Sequence, residues 1–137
     1  MTTRNVLIDR LKHRQSDVGQ SDVGLGGEFY TNPAMFDEEL QRIHYREWLF
    51  AAHSVELPER GSFVTVQIGA YPVLLVRDAQ NAIRAFHNAC RHRGSRVCTS
   101  ASGTVARLVC PYHQWTYGLD GKLFSARQMS AQIDRAQ

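Results

Sequence analysis

The chain has 137 residues, of which 43% are hydrophobic, enough for one domain with a modest core. Charged residues make up 21% and the formal net charge is +3, so composition alone gives no ground for nucleic-acid binding. There is no run of about 18 apolar residues to span a membrane. The N-terminal MTTRNVLIDRLKHRQ also lacks the apolar stretch of a secretory signal, and a cytoplasmic address, with reduced thiols, is the default expectation.

Residues 1–31 read as a flexible N-terminal arm. They hold a tandem pentapeptide, QSDVG at 15–19 and 20–24, followed by LGGEFYTN. Gly19, Gly24, Gly26 and Gly27 favour loop, and two short copies are too few for a solenoid. Residues 32–57 read as a helix and a connection. The helix, PAMFDEELQRIHYREWLF (33–50), starts with Pro33 at its first position and Asn32 or Thr31 as cap. Asp37, Glu38 and Glu39 sit early, where the helix dipole favours negative charge, and Phe36, Leu40, Ile43 and Glu47 recur at helical spacing. His44 has no second ligand four residues on and reads as a packed or surface histidine, and His53 and His13 read as surface residues.

Residues 58–137 form the third segment, in which the period switches to two. SFVTVQI (62–68) alternates, GA (69–70) turns the chain, and YPVLLVRD (71–78) follows as a β-rich run. DAQN (78–81) is a turn, AIRAFHN (82–88) alternates again, and TVARLVC (104–110) and GKLFSAR (121–127) are further strand candidates, the last opened by the turn signal LDG. Short strands with closely spaced turns predict a mainly β fold, an antiparallel sandwich or small barrel with an N-terminal helix.

Two loops at strand ends carry the chemistry. CRHRG (90–94) offers Cys90 and His92, and CPYHQW (110–115) offers Cys110 and His113. Thiolate and imidazole are ligands for zinc, copper and iron–sulfur clusters. A structural zinc site usually pairs its cysteines in one loop and its histidines in another, whereas each loop here gives one ligand of each kind. That pattern suits two bridged irons, with Cys90 and Cys110 on one and His92 and His113 on the other, as in a Rieske 2Fe–2S centre. Zinc remains the alternative at this point.

The spacing of CRHRG, seventeen residues between His92 and Cys110, and CPYHQWTYGLDG resembles the motif of Rieske domains. More narrowly, EWLFAAHSVELPERGSFVTVQIGAYPVLLVRD, AFHNACRHRGSRVC and LVCPYHQWTYGLDGKL resemble the N-terminal domain of the α (oxygenase) subunit of Rieske non-haem iron oxygenases, glycine betaine monooxygenase-like, from about Phe29 to Met129. The resemblance implies a Rieske-type antiparallel β-sandwich and one 2Fe–2S cluster on Cys90, His92, Cys110 and His113. It also implies electron transfer from a reductase or ferredoxin to a mononuclear Fe(II), and oligomerisation at full length. Neither nucleic acid nor membrane is an expected partner. Around the ligands, Gly94 is expected to let the backbone approach the cluster and Pro111 to stiffen the second loop. Trp115 and Tyr117 are expected to wall the cluster from water. Arg93, with Arg91, Arg96 and His87, forms a basic cluster, readable as a solvated loop or as a docking patch for an acidic donor. Cys98 reads as a free thiol.

In the resembling family a C-terminal catalytic domain holds the mononuclear iron on two histidines and a carboxylate. No such constellation occurs in this sequence, so the chain reads as truncated, a fragment or a short variant, with no catalytic residue of its own. A stand-alone Rieske ferredoxin, a zinc-binding interaction module and a remnant that binds nothing are the competing readings.

Overall fold

The computed structural model describes residues 24–127, so most of the expected arm, including the tandem pentapeptide up to Val23, lies outside it. The chain divides into two compact units between Trp48 and Leu49. Among the described residues no helix is long and apolar enough to cross a membrane.

In the first unit, Gly24–Gly27 is irregular and a short helix α1 (Glu28–Thr31) follows, where the glycines had suggested only loop. Helix α2 (Pro33–Glu39) begins as expected: Pro33 is at its first turn and the Asn32 side chain accepts the Ala34 N–H at 3.0 Å. The helix does not reach Phe50. It widens into a π turn over Leu40–His44, with the Tyr45 N–H on the Leu40 carbonyl at 3.0 Å, and ends there. A π turn adds a residue to the repeat, so a stripe projected at 3.6 residues per turn slips out of register past Glu39. Met35 is buried, while Phe36 and Ile43 of the projected stripe are exposed.

The second unit is a sandwich of two antiparallel sheets. Strands β1 (Ser62–Ile68), β2 (Tyr71–Arg77), β3 (Ile83–His87) and β4 (Ser102–Thr104) form one, in the order β3-β2-β1-β4. Strands β5 (Leu108–Val109), β6 (Thr116–Tyr117) and β7 (Leu123–Ser125) form the other, in chain order. β1 and β2 pair from Ile68↔Tyr71 to Phe63↔Val76 around the two-residue turn Gly69–Ala70, with Gly69 at φ 54°, as a tight hairpin requires. The next turn is built by Asp78, whose buried carboxylate accepts the N–H groups of Gln80 and Ala82 and pairs with Arg84 at 2.7 Å. The Arg84 hydrogen bond is the main reason its carboxyl lies below the usual range.

The run 104–110, read from sequence as one strand, is two. Thr104 ends β4 in the first sheet and Leu108 opens β5 in the second. Val105 and Leu108, three residues apart, both pack into the core, a spacing no single strand allows, because its side chains alternate faces. The core lies between the sheets. Phe63, Leu74 and Val76 enter from one side, Leu108, Tyr117 and Leu123 from the other, and Cys90, Cys98, Cys110 and Trp115 join them. Full burial of a Leu or Val contributes about 1.5–3 kcal/mol, and Leu74 and Val76 are within 1% of complete burial. Gly121, in the β6–β7 turn, has φ 86°, and a Cβ there would meet the Phe86 ring at 2.5 Å, so glycine is required on both counts.

Candidate metal centre

Two loops carry the four expected ligands. The first lies in the long connection from β3 to β4, and the second is the tip of the β5–β6 hairpin. Their backbones close in the same way. The Gly94 N–H donates to the Cys90 carbonyl at 2.8 Å and the Cys90 N–H to the Ser95 carbonyl at 2.8 Å. In the second loop the Gln114 N–H donates to the Cys110 carbonyl at 2.9 Å and the Cys110 N–H to the Trp115 carbonyl at 2.9 Å. The residue four after each cysteine is left-handed, Gly94 at φ 69° and Gln114 at φ 59°. A Cβ on Gly94 would meet nothing within 4 Å. The positive φ that closes the loop is a conformation glycine adopts freely.

Each loop is held by its own device. Asn88, 1% exposed, clamps the base of the first: its side-chain oxygen accepts the N–H groups of Val97 and Cys98 at 3.0 and 2.9 Å, and its Nδ2 donates to the Cys98 carbonyl at 2.7 Å. The second rests on the β5–β6 ladder, and the Gln114 side chain accepts from Arg127 at 2.6 Å.

The sulfurs are buried and unbridged, Cys90 at 3% and Cys110 at 1% exposure. Each is contacted from the other loop. Tyr117 Oη lies 3.2 Å from Cys90 Sγ and also accepts the Arg91 N–H at 3.1 Å, which leaves the phenol hydrogen to point at the sulfur. Burial, reinforced by that bond, pushes the Tyr117 phenol up to about 12, so it stays a donor at neutral pH. Burial would raise the Cys110 thiol, but hydrogen bonds from the Tyr112 and His113 N–H groups and the Cys90 and Ser95 side chains outweigh it and the net shift is downward. The imidazoles of His92 and His113 meet edge to face, 4.6 Å between centroids at 68°. Burial, then the charges of His113 and Arg93, push His92 below its usual range. A lowered thiol and a lowered imidazole are the ligand forms that metal binding needs. The described residues contain just two buried side-chain polar atoms without a partner, His92 Nδ1 and Trp115 Nε1.

A cluster with one iron toward the sulfurs and one toward the imidazoles fits this donor set. Among the described residues no three His, Cys, Asp or Glu side chains gather around a point where a single ion would sit. The supporting residues divide. Trp115 and Tyr117 are buried beside the ligands, whereas Arg93 is exposed with Arg91, Arg96 and His87. Cys98 is buried and free, its thiol raised by burial. His53 caps the short 3₁₀ turn Ser54–Glu56, accepting the Val55 N–H on Nδ1. Sequence reading missed Asn88, Ser95 and Gln114. Only Gln114 left a signal, its place four residues after a ligand cysteine, matching Gly94.

Residues 47–134 match the Rieske [2Fe-2S] domain family. The chain belongs to that family. The cofactor of this domain is a 2Fe–2S cluster. The chain is 48% identical over 132 residues to the glycine betaine monooxygenase oxygenase subunit of Chromohalobacter salexigens, covering 96% of itself and 28% of that protein. Its counterpart in Pseudomonas aeruginosa is 52% identical over 107 residues, covering 77% of this chain and 25% of that one. The chain therefore spans about a quarter of the length of these relatives. Among solved structures, naphthalene 1,2-dioxygenase from Rhodococcus sp. matches with a TM-score of 0.82 at 37% identity, covering 90% of this chain and 28% of that one. The apo form of a quaternary ammonium Rieske monooxygenase, CntA, matches at 0.74 and 32%, covering 82% and 34%.

Proposed function

We propose that Cys90 and Cys110 bind one iron of the cluster and His92, through Nδ1, and His113 the other, and that this Rieske domain is the electron-transfer part of an oxygenase α subunit. The observation that carries the reading is the pairing of donors: two buried, mutually contacted thiols, and two imidazoles 4.6 Å apart, one of them with a buried, unpartnered Nδ1. When bound, the cluster supplies reversible one-electron transfer. The residues of this chain set its conditions. The buried thiols keep water from one side, Tyr117 donates to Cys90 Sγ and the Tyr112 and His113 N–H groups donate to Cys110 Sγ. Donation to a ligand sulfur favours the reduced, more negative state and raises the potential.

The electron comes from a reductase or ferredoxin and passes to a mononuclear iron whose ligands lie outside this sequence. The exposed Arg91, Arg93 and Arg96 with His87 suit an acidic donor. The relatives named for glycine betaine and for quaternary ammonium compounds favour a quaternary ammonium substrate for the whole protein. The test is the metal content and the electron paramagnetic resonance spectrum of the reduced protein. Equal iron and acid-labile sulfide, two of each per chain as a 2Fe–2S centre demands, with a lower average g than an all-thiolate cluster, supports the assignment. Zinc without sulfide overturns it.

A further inference from the structure

The two unpartnered buried atoms belong to one pair of rings. The Trp115 indole stacks flat on the His92 imidazole, 4.9 Å between centroids and 4° between planes, and the orphans are Trp115 Nε1 and His92 Nδ1. Trp115 is 6% exposed, so bulk solvent does not reach its N–H, and a buried donor without an acceptor is rare in folded proteins. The same residue closes the second loop, its carbonyl accepting the Cys110 N–H at 2.9 Å. One residue thus holds the backbone of one ligand loop and covers the imidazole of the other.

We infer that the Trp115 indole N–H is a hydrogen-bond donor to a sulfur of the cluster, so that Trp115 positions His92 by stacking and tunes the centre by donation. The inference rests on the cluster assignment above. That assignment explains the orphan on His92, whose Nδ1 lone pair would go to iron, and leaves the orphan beside it in need of an acceptor. Sulfur atoms of the cluster are acceptors, and hydrogen bonds to them shift its potential toward reduction. No charged partner is needed, because the indole donates at every pH.

The experiment uses the iron–sulfur-loaded protein carrying 15N-indole tryptophan, with pulsed electron–nuclear double resonance on the reduced state. Only two tryptophans are present, and Trp48 is fully exposed, so W48F serves as the assignment control. The expected result is a hyperfine coupling to one indole nitrogen and its exchangeable proton, retained in W48F and lost in W115F. W115F keeps a flat ring over His92. It is expected to load with unchanged iron and sulfide and to shift its midpoint potential to more negative values. W115L, which also removes the stack, is expected to load less cluster than W115F. A loaded wild type without indole coupling, or a loaded W115F with unchanged potential, overturns the inference and leaves the cluster assignment standing. A wild type that takes up no iron and sulfide removes that assignment itself.

Discussion

The two ligand loops share a backbone frame and differ in nearly everything else. Each is closed by the N–H of the residue four after its cysteine and by the carbonyl of the residue five after it. Yet the first puts its histidine two residues after the cysteine and the second three. The shared frame presents the sulfurs alike, and the one-residue offset brings the imidazoles together edge to face. Support differs as well. The first loop leaves β3 without a hairpin partner and relies on one buried amide, Asn88. The second is the tip of a two-stranded hairpin, braced from outside by Arg127. A site can therefore repeat a local geometry while drawing its rigidity from unrelated sources.

The largest effect expected is from the sulfurs, where the loops should be equivalent. C90S and C110S should each abolish cluster loading, read as loss of iron, sulfide and visible absorbance. Loading retained by one of them would break the symmetry. N88A should separate the loops. It strands two N–H groups and one carbonyl, each costing about 1–3 kcal/mol when buried without a partner, and a net loss of about 2–4 kcal/mol is expected in urea unfolding. Hydrogen exchange should accelerate at the Gly94 amide and not at that of Gln114, whereas equal acceleration would mean that the two loops form one unit.

Y117F removes the donor that the second loop's strand sends to the first loop's sulfur. The cluster should persist, with the midpoint potential lowered by roughly 40 mV, the equivalent of about 1 kcal/mol for one electron. An unchanged potential would mean that the 3.2 Å contact carries no tuning. The smallest effects test the left-handed corner. G94A has room for its Cβ but must hold φ 69°, and should cost about 1 kcal/mol. Q114G relieves the same strain while losing the Arg127 contact and adding chain entropy, and should change stability by less than about 0.5 kcal/mol. Thermal melts of the pair decide it.

The hairpins were legible because 62–68 and 71–77 are rich in β-branched and aromatic residues and because Gly69 and Asp78 are specific turn formers. The four candidate donors stood out because thiolate and imidazole have few other reasons to recur at this spacing. The helix past Glu39 was not, since a π turn leaves no mark in composition and defeats a fixed period. Nor was the split at Val105, where the pattern looks continuous although the chain changes sheets. Asn88 was hidden for a different reason. It read as the last residue of the strand candidate 82–88, and its value lies in hydrogen bonds to residues nine and ten positions away. The positive φ at Gly94 was a property the sequence did not announce.

The central claim is that one iron carries two sulfurs from the two loops and the other carries two imidazole nitrogens. The most direct measurement is electron–nuclear double resonance of the reduced, 15N-histidine-labelled protein. The account predicts two strongly coupled nitrogens, both assigned to histidine by the label, with a lower average g than an all-cysteine cluster. A spectrum without histidine nitrogen coupling would contradict it.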